Sequence, residues 1–424
     1  MQLLRRIGGK RPHPAWKILI ACCFIQFGGM GVLSNSIGVF FPAVCADLGF
    51  TTTQISFHIT IRGLATMVVL PLAGRLISRY PSKYVLTPAA AMLVCSIASM
   101  AFFSKLWQWY VASVFYGLAG AFLFLNMSPV LLTNWFKART GFAVGIAMAC
   151  SGLGGIVMNP VGNALIESMG WRATYLIFAG IGAVCMLPFT AFALERCPQD
   201  AGVSPYTGTD ARLVCPDEKK SGSDRHALSG LMKSPVFWMF FAAVIIVSFE
   251  TVFIYHFPGY ALSVGLSAAI GSTMSSASMA GNLLGKFYLG WLNDKLDSKR
   301  SFLWGILLTM SGMAIIQFFH HSPSILAAGS LLYGACMALT AVSVPLLILE
   351  LFDRSQYAAA LSMASMITSA MGGIGTSLIG ILYDASGSYT MAFMLAQILC
   401  AVCAVLLFAA FRLKNMKIEW KDSV

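Results

Sequence analysis

GNLLGKFYLGWLNDKLDSKR, residues Gly281–Arg300, decides how this chain is built. Its first half is apolar enough for the interior of a bilayer, yet it carries Lys286 and then breaks into a polar, basic hinge at Asn293, Asp294, Lys295, Lys299 and Arg300. A charge at the centre of a membrane-spanning helix costs roughly 3 kcal/mol or more, so such a lysine belongs against a protein interior or a wet cavity and is a candidate functional residue. The competing reading is a lysine that snorkels to the headgroups, since helical rise puts it only about 12 Å from Asp294.

Composition extends that reading to the whole chain. Of 424 residues 58% are hydrophobic and 10% charged, where a soluble domain carries about 25% charged residues, and the mean hydropathy is +0.77. This is the composition of an integral membrane protein. A net charge of +12 would suit nucleic acid, but the basic residues are spread over short loops between apolar runs, which is what orientation in a bilayer requires. The expected partner is lipid, with no nucleic acid. Cys22, Cys23, Cys95, Cys150, Cys185, Cys336, Cys400 and Cys403 fall within apolar runs and act as small hydrophobes, while Cys45, Cys197 and Cys215 lie in loops without ligand spacing. No disulfide scaffold, metal site or cofactor is expected. The basic start MQLLRRIGGKRPHPAWK runs into a long span without a small-residue cleavage site, so no removable signal peptide is expected. No acid, base and nucleophile cluster near a membrane face, and an enzyme is not expected.

Apolar runs of bilayer length, about 20 residues each, fall near 17–41, 54–77, 84–104, 107–132, 140–166, 171–194, 235–257, 267–291, 301–319, 323–349, 356–382 and 388–411. With the N-terminus placed inside, 24 of the 28 Lys and Arg lie on the inner side. Only Lys105 and Arg172 lie outside, and Arg62 and Lys286 fall within spans. Both termini are therefore expected in the cytoplasm of a cell-membrane protein.

The polar stretch 194–233, rich in Pro, Gly, Ser and Asp, reads as a cytoplasmic linker between halves 1–193 and 234–424. An internal repeat supports the division. Ser113, Tyr116 and Gly117 recur at one constant offset as Ser330, Tyr333 and Gly334, and Gly74-Arg75-Leu76-Ile77-Ser78-Arg79 recurs as Gly290-Trp291-Leu292-Asn293-Asp294-Lys295 at an offset shorter by a single position. Six spans separate equivalent positions, so the halves are parallel repeats about an axis along the membrane normal, enclosing a cavity between them. Tyr116 and Tyr333 either line that cavity at matching depths or pack beside their glycines. Small-residue faces at Gly141, Gly145, Gly152, Gly154 and Gly155, and at Gly372, Gly373 and Gly375, mark helices that touch.

The chain resembles the major facilitator superfamily throughout its length. The loop signature Gly-x-Leu-x-Asp-Arg is matched by Gly290 to Lys295 and, with Ser78 in place of the aspartate, by Gly74 to Arg79. NWFKARTGFAVGIAMACSGLGG (134–155), NSIGVFFPAV (35–44), PQDAGVSPY (198–206) and GILYDASGSY (380–389) are similar to stretches of the monocarboxylate transporters and the oxalate/formate antiporters. The resemblance implies an all-α membrane protein of twelve transmembrane helices in two six-helix parallel repeats, working as a monomer that moves a small organic anion by alternating access, with a proton or a counter-anion. It also implies that Lys286 stands where that subgroup has a substrate-binding arginine, keeping the charge without the planar fork. The first-helix lysine of some members is Asn35 here, and the helix-11 lysine of the oxalate exchanger has no counterpart. By the superfamily's geometry Asp294 lies against the start of helix 5 with Arg139 as a candidate partner, a cytoplasmic gate flanked by the hinge glycines Gly74 and Gly290. A carrier for a non-carboxylate solute and a transporter-like receptor are the other functions of such a chain.

A second charged group lies higher. Arg62 and Glu250 are both about 24 Å up their helices, with His58 one turn outside Arg62 and His256 near the outer end of helix 7. One expectation is an Arg62–Glu250 pair that forms when the outside is shut and couples proton movement to opening; the other is two charges separately solvated near the outer mouth.

Overall fold

The computed structural model describes residues 13–137, 139–195, 197–198, 203–204, 206, 234–352 and 356–422. Ten stretches among them are long and apolar enough to cross a membrane. The longest, Thr140–Ala193, is two helices: Gly170 at its middle has φ 80° and ψ 162°, a conformation that only a glycine enters without strain, and the chain doubles back there. One more, Ala268–Lys295, falls short in hydropathy because of its serines, Asn282 and Lys286, yet it lies among the others.

The twelve long helices among the described residues are α1 (Pro14–Leu48), α2 (Thr52–Arg79), α3 (Ser82–Met100), α4 (Leu106–Trp135), α5 (140–169), α6 (171–193), α7 (Pro235–Tyr255), α8 (Ala268–Lys295), α9 (Ser298–Phe318), α10 (Pro323–Leu351), α11 (Tyr357–Ser386) and α12 (Thr390–Asp422). They coincide with the twelve apolar runs of the sequence. The hinge expected from Asn293 comes later: α8 stays helical through Lys295, and Asp297 then caps α9 by accepting from the Arg300 amide at 2.6 Å. The segment 194–233 lies mostly outside the described residues. Its described start returns beneath the first half, where Trp135 Nε1 donates to the Glu195 carbonyl at 2.9 Å.

Buried side chains form one core drawn only from Ala15–Leu194 and two more drawn only from Val236–Phe411. Three helices among the described residues are interrupted midway, and α7 tightens in its last turn, before the short helix Phe257–Ser263. Wide π-turns occupy Gln26–Ser34 in α1, Ala121–Asn126 in α4 and Leu339–Ser343 in α10, and tight 3₁₀ turns occupy Ile37–Phe40 in α1 and Thr251–Tyr255 in α7. Such turns release backbone carbonyls, and within a bilayer each must find a partner inside the protein. Tyr116 donates its hydroxyl to the Leu33 carbonyl at 2.8 Å, and Tyr333 donates to the Glu250 carbonyl at 2.6 Å. Donor and acceptor shift by the same offset between these two bonds, the one that relates Ser113 to Ser330, so the repeat legible in the sequence is a repeat of hydrogen bonding. Gly117 lies against the α2 backbone at Arg62 and Gly334 against the α8 backbone at Ser278, again equivalent positions, and no larger residue would allow that approach.

Tyr116→Phe removes the side-chain donor to the Leu33 carbonyl, and Tyr333→Phe leaves the Glu250 carbonyl only the weak Cys336 thiol at 3.8 Å; each is expected to lower stability by about 1–3 kcal/mol. Thermal unfolding in detergent measures it; a phenylalanine variant that melts with the parent contradicts the role.

Candidate functional site between the halves

Two cross-half seams bound the centre of the molecule. Between α2 and α11, Thr60 Oγ1 donates to the Gly373 carbonyl at 2.9 Å; between α5 and α8, Ser276 Oγ donates to the Ile156 carbonyl, also at 2.9 Å. The repeat relates these bonds donor to donor and acceptor to acceptor. A Cβ at Gly38 would stand 2.6 Å from Tyr255 Cα, and these two residues are themselves equivalents, so the pseudo-twofold axis passes between them. Phe41 of α1 reaches His256, with ring centroids 6.2 Å apart. All these contacts lie away from the linker, and on that far side the halves are shut.

Toward the linker side the α5–α8 seam comes apart. A Cβ at Gly152 would be 3.7 Å from the Met279 carbonyl, and Gly155 is in tighter contact with the Met279 side chain. Gly145 and Gly141 continue the Gly152 face by helical spacing, and they, like Gly290 opposite, meet nothing within 4 Å. Asp294 and Arg139 are exposed, and neither has an ion pair among the described residues. The expected gate pair is thus not made in this conformation, because the ends it would join have separated. Of the hinge glycines, Gly290 is open while Gly74 keeps an interaction of its own.

Arg62 sits near the axis. Its Nη1 donates to Ser34 Oγ and Tyr116 Oη and its Nη2 to Tyr255 Oη, each at 3.3 Å, and its guanidinium lies 5.1 Å from the Tyr116 ring centroid and 5.7 Å from that of Tyr255. The expected Arg62–Glu250 pair does not exist. Equal height does not give a shared face: Ser248 meets Thr368 of α11 at 3.0 Å, and Glu250, two residues on, is turned about 200° away from it. Glu250 is 1% exposed in the core of the second half, where its carbonyl accepts from Tyr333 and the Cys400 thiol lies beside its carboxyl. Neither carboxyl oxygen has a well-formed hydrogen bond among the described residues. Tyr255 takes the place expected for Glu250.

The histidines do not join Arg62 either. His58 is fully buried between Phe41 and Trp109, with Nδ1 bonded to the Ile55 carbonyl, and His256 Nε2 bonds the Thr376 carbonyl at 3.0 Å. They flank Phe41 from opposite halves. Tyr116 and Tyr333 are likewise fully buried, beside their glycines, with no exposed surface on a cavity. Asn35 uses its amide to donate to the Ser151 carbonyl at 3.1 Å, tying α1 to α5.

Lys286 is half-buried and has no hydrogen bond or ion pair among the described residues. Two turns beyond Met279, it returns to the same face of α8 within about 20°. That face carries Ser276, Met279 and Leu283, which meet α5, whereas Leu284 and Phe287 turn outward at 57% and 70% exposure. Lys286 therefore points into the seam at the level where it opens. Snorkelling along the lipid face does not describe it.

Two parallel six-helix repeats, joined along both seams on one side, parted along the α5–α8 seam on the other and carrying two cations without carboxylate partners among the described residues, define a membrane transport protein. The chain belongs to the Major Facilitator Superfamily, whose family model matches residues 19–279 and 240–423. Monocarboxylate transporter 12 of Rattus norvegicus is 26% identical over 98% of this chain and 90% of its own. The uncharacterized MFS-type transporter YhjX of Escherichia coli K12 is 26% identical over 72% of each. Among solved structures the nucleoside transporter NupG superposes with a TM-score of 0.75 at 14% identity, covering 94% of this chain and all of that one, a likeness of fold.

The α5–α8 register sets Gly145 opposite Gly290. In the double variant Gly145→Cys, Gly290→Cys, made without the native cysteines, a disulfide is expected to form only when the linker side closes, and to abolish transport reversibly with reductant. Immediate, complete cross-linking of the resting protein contradicts an open linker side.

Proposed function

We propose that this carrier moves a small organic anion, a monocarboxylate before others, by alternating access, with Lys286 as its main contact and Arg62 as the cation of the opposite half. The observation that carries the reading is Lys286 itself: a half-buried ammonium without a counter-charge among the described residues, on the seam face of α8, where the halves part. An uncompensated charge in that setting is costly, and a bound carboxylate removes the cost while orienting the solute. The similarity to a monocarboxylate transporter over nearly the whole chain agrees with it. On this reading the protein is a monomer of the cell membrane with both termini and the linker in the cytoplasm, so the linker side is the inner side.

Replacing Lys286 by alanine should cost roughly 2–5 kcal/mol in solute binding, as for any truncated partner of a buried charged contact. Lys286→Arg should keep measurable activity. Uptake of labelled monocarboxylates into vesicles tests both, and near-normal transport by Lys286→Ala removes the lysine from the site.

Proton coupling falls to Glu250, a carboxyl enclosed by α7, α10 and α12 with no cation beside it. Glu250→Gln is expected to retain solute exchange but lose net accumulation driven by a pH gradient. Accumulation by that variant under a pH gradient alone would assign the coupling elsewhere, or to anion exchange.

A further inference from the structure

The two cross-half seams are equivalents in backbone contact but not in how their far ends are fastened. Helix α2 begins at Thr52, and its first free amides are turned toward the second half. Asp384, near the end of α11, accepts from both: Thr52 N–H to Oδ1 at 3.2 Å and Thr53 N–H to Oδ2 at 2.8 Å. The capping box of α2 is already complete within its own chain segment, since Thr51 accepts from the Gln54 amide and Gln54 from the Thr51 amide. Asp384 thus adds a charged acceptor from the other half to a helix that is otherwise capped. Gly380, one turn earlier on α11, would place a Cβ 3.0 Å from Thr53 Cα, and Ser377 Oγ meets Thr60 Oγ1 at 2.6 Å, so carboxylate, glycine and hydroxyl contacts run continuously along this seam.

The other seam carries a carboxylate at the matching position and does not use it this way. Glu167 of α5 is the repeat equivalent of Asp384, and its equivalent target is the start of α8 at Ala268. Its Oε1 instead accepts from Asn163 on its own helix at 2.7 Å, and Ser267 at the α8 N-cap makes no side-chain cap bond.

We propose that Asp384 is the far-side latch of the transport cycle: its carboxylate on the α2 N-terminus holds the second half to the first, and far-side opening requires those two bonds to break. The charge suits the position, because unsatisfied amides and the helix dipole both favour an anion there. The bonds are also the kind that can be made and broken in each cycle, being at the protein surface where water replaces them. A partly open pocket of about 180 Å³ lies directly below, lined by Phe41, Cys45, Thr52, Tyr255, His256 and Tyr383 among others, and far-side opening would widen it. The latch concerns which side is open and is independent of the solute.

Cys45 is a reporter already in place: half-buried at the rim of that pocket, with its Sγ 3.9 Å from the Thr51 carbonyl, it labels slowly at rest and faster as the pocket widens. In a background where Cys45 is the single cysteine, without solute, Asp384→Asn and Asp384→Ala should raise the rate of maleimide labelling at Cys45 by about tenfold or more, as loss of charge-assisted bonds implies. Hydrogen exchange at Thr52 and Thr53 should accelerate with it. Glu167→Gln should change neither. Unchanged labelling and exchange in Asp384→Ala overturn the proposal, and so does faster exchange with unchanged labelling, which would make Asp384 a helix cap only. The asparagine variant, with the same shape, keeps the test valid if alanine prevents folding.

Discussion

A broken helix inside a bilayer has no water to turn to, and the molecule's centre depends on how that is managed. Tyr116 and Tyr333 each bring a hydroxyl to a carbonyl released where α1 and α7 change pitch. With the bonds in place, α1 and α7 can depart from regular helix at Ile37–Phe40 and Thr251–Tyr255, and those tight turns bring Gly38 against Tyr255 on the axis. Tyr255 can then reach Arg62. A hydroxyl in the fourth helix of each repeat thereby determines what meets between the halves. The glycines beside the tyrosines serve the same end, because Gly117 and Gly334 let α4 and α10 lie directly on α2 and α8.

Much of this is legible in the sequence because the governing quantities are linear. Run length gives the helices, and a constant offset gives the repeat. Charges amid apolar residues single out Arg62, Glu250 and Lys286. What does not follow from linear position is azimuth. Arg62 and Glu250 share a height, but α7 presents Ser248 to α11 and turns Glu250 into its own half. The switch to a 3₁₀ turn after Glu250 then carries Tyr255 to the arginine, and a tyrosine at the end of an apolar run gives no warning of that. Asp384 is harder still to read, since its partners are main-chain amides in the opposite half and leave no side-chain signature. Its one sequence-level hint is position: it is the carboxylate at the end of an otherwise apolar eleventh span.

The repeat also separates scaffold from function. Hydroxyl-to-carbonyl bonds, glycine contacts and the Thr60 and Ser276 seams obey the offset, and they are what any pair of rocking halves needs. The two cations within the spans disobey it. Arg62 corresponds to Ser278 and Lys286 to Leu70, so neither lysine nor arginine is duplicated. A symmetric pair of cations would give a solute two equivalent places to rest, one in each half. One cation of each kind, set on different helices of the two halves, gives it a single asymmetric place.

The same contrast governs the gates. On the far side the α2–α11 seam is joined by an aspartate and the α5–α8 seam is not, although a carboxylate is present in both. On the linker side the α5–α8 seam is the one that has parted, with Gly145 and Gly290 facing open space. Among the described residues neither end of this seam carries a carboxylate lock like that of Asp384, and its contacts include the packing around Gly155 and the bond from Ser276 to Ile156. A seam joined at and beyond its middle and open on the linker side can pivot where the contact ends, and Lys286 sits two turns beyond Met279, on the moving side. A charge so placed changes its distance to the opposite wall with every swing. That is the geometry by which a bound anion, drawn to the lysine, acquires different affinities for the two states, which is what any ligand needs in order to shift their populations.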